Sequence, residues 1–426
     1  MRAVLRGGRL LDGAGDHGVH DLYVKDGVVE GTDLGGTVDQ ELDAAGMVVT
    51  PAFLDLHAHL RDPGQETKED LASGLAAAAA GGFGTVVSMA NTVPVVDDPG
   101  MVADLVARAA RLPGARLRPA AALSKGLRGE ELTDMAALAA AGAVMVTDDG
   151  VPVADARLFR SACHYAAELG LVVQTHSEDP GLRDDGVMNE GEVSQRLGLP
   201  GNPVEAEAVM LFRDGEIARL TGARVHLAHV SSARGLEVGR WLKASGAPVT
   251  LEVTPHHLTL TDEALAGYDP VFKVAPPLRR EADVEALRAG LRDGSVDSIG
   301  TDHAPHTLAE KQQDMLSAPF GIANLEVSFP LLHTRLVAAG LLPLGRLLWH
   351  LQDGPAAVMG WPAPRLSPGA PADITVLDLQ TSAPVVGAEF RSKAKHTPWE
   401  GEAFTGWPVA TLVGGEVVFR RAQAAA

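Results

Sequence analysis

The chain predicts an α/β protein, a (β/α)8 barrel with a small discontinuous β-sandwich domain formed by its two termini. Three observations predict it. Eight short apolar runs alternate with Ala/Leu/Arg-rich helical stretches through the middle of the chain. The two ends read instead as short alternating runs broken by Gly and Asp turns. Polar residues able to bind metal close several of the apolar runs at their C-terminal ends, the face on which a barrel gathers its chemistry.

Taken in order, residues 1–50 hold AVLRGGRLLD, DLYVKDGVVEG and GMVVTP, the pattern of small antiparallel strands. GAGDHG at 13–18 satisfies GxGxxG, but an alternating strand follows it where a dinucleotide site requires a helix, so it is a turn. The barrel strands are FLDLH (53–57), TVVSMAN (85–91), LRPAAAL (117–123), AVMVTDD (143–149), LVVQTH (171–176), RVHLAH (224–229), PVTLEVT (248–254) and VDSIGTD (296–302). MVADLVARAARL, ELTDMAALAAAG, LFRSACHYAAELG and EADVEALRAGLRDG supply helices between them. Eight such units over about 300 residues match a closed barrel better than an open sheet. The uncharged run Leu71 to Ala90 contains Gly81, Gly82 and Gly84, which fits a helix, a turn and a buried strand better than a bilayer span. From about 365 the strand style returns in ADITVLDL and PVATLVGGEVVF, with Gly414 and Gly415 at a hairpin turn. The simplest packing joins 1–50 and 365–426 into one β domain beside a barrel of 51–364.

Composition narrows the function. The 426 residues are 46% hydrophobic and 21% charged, which excludes disorder and coiled coil. Lys+Arg 36 against Asp+Glu 55 gives a net charge of −19, which repels nucleic acid and anionic membrane surfaces. The single cysteine, Cys163, excludes an intramolecular disulfide and a thiolate cluster, so any metal must be held by nitrogen and oxygen. The N-terminus lacks the apolar core of a signal peptide. A soluble cytoplasmic enzyme acting on a small molecule is the expectation.

The chemistry lies at the strand ends. His57 and His59 follow FLDL, Asp148 and Asp149 end AVMVT, His176 ends LVVQT, His229 ends RVHLA and Asp302 ends VDSIGT. Residues i and i+2 share a face of a strand, so HxH aims both imidazoles at one ion. Alternation alone leaves Asp148 and Asp149 both open. A histidine-rich set with carboxylates suits zinc first, then manganese, cobalt or iron. His226 faces away from His229 and is expected to be packing, His256 and His257 stand near the mouth, and Lys125 is expected to be a solvated loop lysine.

FLDLHAHLRDPG at 53–64, MANTVP at 89–94, TDDGVPV at 147–153, THSED at 175–179, LAHVSS at 227–232, EVTPHHL at 252–258, KVAPPLR at 273–279 and GTDHAPHT at 300–307 resemble, in order, bacterial type I dihydroorotase of the amidohydrolase superfamily. That resemblance implies one or two zinc ions held by His57, His59, Asp149, His176, His229 and Asp302, with Asp149 bridging. It implies Asp302 as the catalytic acid and base. His59, Arg61, Asn91, His306 and the backbone of Phe320 and Gly321 become substrate contacts, with Arg61 pairing the substrate carboxylate and 303–323 forming a lid. The implied reaction interconverts N-carbamoyl-L-aspartate and L-dihydroorotate in pyrimidine biosynthesis. Relatives on the same scaffold act as hydantoinase, dihydropyrimidinase or allantoinase, and some serve as non-catalytic partners of aspartate carbamoyltransferase. A homodimer and an association with that carbamoyltransferase are the partner expectations. Ala275 and Ala90 depart from the pattern, standing where Asn and Pro are usual.

Overall fold

Hydrogen bonding joins the eight apolar runs into one parallel ladder in sequence order. In the computed structural model, which describes residues 1–422, the strands are Phe53–Ala58, Phe83–Ser88, Arg116–Ala121, Met145–Thr147, Val172–Thr175, Arg224–Leu227, Val249–Val253 and Ser298–Ile299. Neighbours pair in parallel throughout, as crossover connections through helices require. The expected helices form at Pro99–Ala109, Met135–Ala141, Ala156–Leu169 and Glu281–Asp293. Asp98, Asp134 and Asp155 cap the first three by accepting backbone N–H groups of the opening turn. The run from Leu71 divides into helix Leu71–Ala80, a glycine turn and the second barrel strand.

The chain beyond the last strand meets the first through one parallel bridge, Ala58 to His303, and a carboxylate clasp rather than an extended ladder. Thr301 donates its backbone N–H (3.0 Å) and its hydroxyl (2.6 Å) to the Asp55 carboxylate, and the His59 N–H reaches the His303 carbonyl at 2.8 Å. Asp55 is fully buried, and burial pushes its carboxyl up to about 7 against the pull of those hydrogen bonds. The clasp closes the barrel at the point where His57 and Asp302 must be neighbours.

The terminal segments form a second eight-stranded sheet from Arg2–Asp12, Gly15–Lys25, Val28–Thr32, Gln40–Asp43, Val48–Pro51, Ile374–Asp378, Trp407–Val413 and Glu416–Arg420. Its two arms enclose one apolar core, in which Leu5, Leu22 and Val24 meet Ile374, Val376 and Leu412. The expected antiparallel pairing holds for most of this sheet, with the correction that Arg2–Asp12 pairs in parallel with both Gln40–Asp43 and Val48–Pro51. The hairpin between the last two strands turns at Gly414 and Gly415, both at positive φ, as a two-residue turn requires. Thr375 and Thr411 donate to the carbonyls of Gly82 and Ala79, and Arg116 pairs with Asp373 at 2.6 Å, seating this sheet on the barrel. Among the described residues no helix is long and apolar enough to cross a membrane.

Candidate metal centre and substrate pocket

His57 sits inside the last pleat of the first strand, and the other five ligand candidates follow their strands' ends, where the chain can turn a side chain over the barrel mouth. His229 and Asp302 do so at φ +38° and +45°, in the left-handed region that non-glycine residues rarely occupy. The Nε2 atom of His57 lies 3.3 Å from Asp149 Oδ1 and 3.6 Å from Asp302 Oδ1. His59 Nε2 is 3.4 Å from Asp149 Oδ2 and 3.1 Å from Asp302 Oδ1. His176 Nδ1 and His229 Nε2 approach Asp149 Oδ1 to 3.7 and 3.6 Å and stand 2.9 Å apart. All six residues are buried. The expected set therefore meets at one rim, although its members span positions 57 to 302.

Asp148 and Asp149, open alternatives in the sequence, have separate jobs. Asp148 turns away and accepts the backbone N–H groups of Leu123 (2.8 Å) and Ser124 (2.9 Å), together with the Ser124 hydroxyl. Asp149 presents one oxygen to His57, His176 and His229 and the other to His59.

The outer nitrogens of three of the imidazoles are held as well. His57 Nδ1 meets Glu252 Oε1 at 3.1 Å and the Gln174 amide at 3.0 Å. Glu252 Oε2 in turn holds His226 Nε2 at 3.2 Å, so His226 is a bonded partner in this chain and not mere packing, which corrects the sequence expectation. His59 Nδ1 donates to Asn91 Oδ1 at 2.8 Å, and His176 Nε2 meets Glu178 Oε2 at 2.8 Å. An imidazole that donates from its outer nitrogen turns a lone pair inward, the state a metal ligand needs. Gln174, Glu178 and Glu252 were not singled out in the sequence. Each is a polar residue inside or just beyond a buried strand, which is itself the signal.

The donor set fits a divalent cation. His57 Nε2, Asp149 Oδ1 and His229 Nδ1 are buried without a hydrogen-bond partner. Two triads, His57/Asp149/His229 and His57/His59/Asp302, bring their donor atoms within 4.8 Å of one another. Burial opposes ionisation of Asp149, but the surrounding imidazoles outweigh it and hold its carboxyl well below the usual range. Burial likewise opposes a charge on His57, yet Asp149 and Asp302 draw its pKa well above normal.

Beside this cluster opens a pocket of about 600 Å³, bounded by Arg61, Asn91, Arg183, Ala275, His306 and Phe320 among others. Arg61 reaches it by a route the sequence did not foresee. The first strand ends at Ala58, and a left-handed turn at φ +59° brings Arg61 round instead of a continuing pleat. Its Nε donates to the Pro305 carbonyl at 3.2 Å and its Nη2 lies 3.3 Å from His306 Nε2. Burial lowers Arg61 to about 10, so it stays cationic at neutral pH. Burial, with Arg61, Lys311 and Lys68 nearby, lowers His306 to about 2 and keeps it neutral. Its Nε2 donates to the Phe320 carbonyl at 2.9 Å, while the Gly321 N–H donates to the Lys273 carbonyl at 2.9 Å.

Segment 303–323 is a pinned wall in this structure. Lys273 Nζ donates to the carbonyls of Met315, Leu316 and Ala318, and Lys311 Nζ to those of Pro270, Lys273 and Pro319. Of the remaining expectations, Lys125 is exposed and paired with Glu131. His257 is fixed by Thr254 and the Pro276 carbonyl, and His256 is buried beside Asn324, outside the pocket lining.

Barrel, β domain and His/Asp rim together define the amidohydrolase class of metal-dependent hydrolases. Residues 46–235 match the family model described as dihydro-orotase-like. Dihydroorotase of Deinococcus radiodurans is 54% identical over 96% of this chain and 97% of its own length, and that of Thermus aquaticus 50% over 97% and 98%. Among solved structures, L-hydantoinase from Arthrobacter aurescens superposes with a TM-score of 0.88 at 26% identity, covering 100% of this chain and 97% of its own. Dihydropyrimidinase from Brevibacillus agri superposes at 0.83 and 22% identity over 99% and 95%, a likeness of fold alone. The chain belongs to the dihydroorotase family of cyclic amide hydrolases.

Proposed function

We propose that this chain is a zinc-dependent dihydroorotase that opens the ring of L-dihydroorotate and, in reverse, closes N-carbamoyl-L-aspartate in pyrimidine biosynthesis. A single observation carries the reading: a buried arginine stands in the same pocket as a complete His/Asp metal set, so an anionic cyclic amide is oriented as it meets the reactive centre.

His57, His59 and Asp302 would hold one ion and His176 and His229 a second, with Asp149 between them. Bound there, the ion supplies Lewis acidity and lowers the pKa of water from 15.7 toward ~7. Arg61 pairs the substrate carboxylate, the fork geometry suiting two parallel hydrogen bonds. Asn91 spends its oxygen on His59 and one N–H on the Asp149 carbonyl, which leaves the other N–H for the same carboxylate. His306, neutral and anchored on Phe320, lines that end beside Arg61. Asp302 takes the proton of the attacking water and passes it to the leaving ring nitrogen. Burial opposes ionisation of Asp302, but His57 and His59 outweigh it, so the carboxylate is ready to accept.

Hydantoinases share the scaffold, but a cationic pocket end has no partner in an uncharged hydantoin or dihydrouracil. A non-catalytic role beside aspartate carbamoyltransferase is countered by the complete ligand set. Purified chain should carry zinc by elemental analysis and open dihydroorotate far faster than hydantoin or dihydrouracil. Equal rates on the neutral rings would overturn the assignment.

A further inference from the structure

We propose that Arg183 is a specificity and catalytic residue that donates hydrogen bonds to the ureido carbonyl of the substrate, the polar group left over once the carboxylate and the scissile carbonyl are placed. The inference rests on the dihydroorotase reading. In that reading the substrate presents three polar regions to the pocket. The carboxylate faces Arg61, Asn91 and His306, and the scissile carbonyl faces the His/Asp cluster. The ureido carbonyl must then face the rest of the wall, whose side chains include those of Val274, Ala275, Phe320 and Arg183. Of these side chains only Arg183 carries a donor. The Gly321 N–H is already bonded to Lys273, and the Ala275 side chain offers no polar group.

Arg183 is poised rather than committed. It ends the short helix Pro180–Arg183 that follows the fifth barrel strand, and its Cζ lies 4.9 Å from the centre of the Phe320 ring. Lys273 Nζ sits 4.5 Å from the same ring, so Phe320 is flanked by two cations and its position is fixed. The Arg183 Nε is buried without a hydrogen-bond partner. Its nearest carboxylate, Glu178, is 3.8 Å away and already bonded to His176 and Asn202. The side chain is 27% exposed at the pocket mouth, open to an incoming ligand.

The chemistry gives this donor more than a binding role. In ring opening, a water oxygen forms its bond to the scissile carbon and the carbon–nitrogen bond breaks. The bonding pair goes to the ring nitrogen and spreads onto the ureido oxygen, until the proton held by Asp302 reaches that nitrogen. A guanidinium donating to the ureido oxygen stabilises charge that grows in the transition state, so its removal lowers kcat more than it raises KM.

R183M and R183A should open dihydroorotate at least ~30-fold more slowly in kcat, with KM changed by less than about threefold and zinc content equal to wild type. Guanidinium ion added to R183A should restore activity saturably, while ammonium at equal concentration should not, and R183K should fall between. An R183M kcat within threefold of wild type overturns the proposal. So does a loss that guanidinium fails to rescue, or one that tracks lost zinc, because either assigns Arg183 to supporting Glu178 and His176. Wild-type turnover, measured alongside, tests the dihydroorotase reading separately.

Discussion

At the residue scale, function depends on which atoms are left without partners. Asp302 touches His59 Nε2 and the inner face of His57, so D302N keeps the shape while removing the proposed proton acceptor. The variant should fold with unchanged circular dichroism and lose at least ~100-fold in kcat, the scale of general acid–base work. Near-normal turnover would remove Asp302 from the mechanism. R61A should act differently, raising KM for dihydroorotate by ~10-fold or more with a smaller change in kcat, since the proposed charge-assisted pair to the carboxylate would exist in both ground and transition states. An unchanged KM would argue against carboxylate recognition there. Much of this was legible in the chain: HxH and the terminal Asp and His residues named the cluster. The choice of Asp149 over Asp148 was not readable from alternation, because it depends on the Leu123 and Ser124 N–H groups, which a neighbouring strand delivers.

At the element scale, the wall between 303 and 323, whose one short helix is Leu308–Lys311, shows how a largely irregular segment becomes rigid. Two buried ammonium groups replace a β-ladder as the source of donors for its carbonyls. Burial draws the pKa of Lys311 down to about 7, while three carbonyl acceptors favour its proton. K311M leaves those acceptors unsatisfied in the interior, so it should lower stability by about 2 kcal/mol in denaturant titration. It should also raise KM, because Phe320 and Gly321 hang from the same wall. An unchanged unfolding midpoint would show that the clamp is not needed. No sequence pattern marks such a clamp. Lys273 and Lys311 look like surface residues until tertiary packing buries them. Arg61 is a similar case, since its face follows from a turn at φ +59° and not from strand period.

At the scale of the whole molecule, two bodies share carboxylates at their seam. Glu326 accepts the backbone N–H groups of Arg391 and Ser392 where the chain passes from the barrel toward the last strands. Burial raises its pKa to about 7 against the pull of those hydrogen bonds. A raised carboxyl pKa means the folded state holds a proton that the unfolded state has released, so the Glu326 contribution to stability is full below about 4.5 and is lost as pH rises through 7. E326Q should therefore stabilise the protein relative to wild type at pH 8, with the advantage shrinking toward pH 5, as read by thermal unfolding across pH. A pH-independent difference would exclude this role. Chelation should abolish ring opening while leaving the terminal sheet folded, and zinc should restore activity. Persistence of turnover after complete metal removal, checked by elemental analysis, would defeat the proposed centre.

The order of apolar runs, the paired ends and the strand-terminal His and Asp residues determined the barrel, its terminal β domain and the membership of the cluster, because period and position are local properties that a linear chain carries. Tertiary structure decided the rest. Gln174 and Glu252 meet His57, and His226 meets Glu252, yet His57 lies on the first strand and the others on the fifth to seventh, so only barrel closure makes them its neighbours. Parallel pairing in the terminal sheet, the pinned wall and the placement of Arg183 beside Phe320 likewise depend on contacts between segments far apart in sequence, whose geometry no single segment encodes.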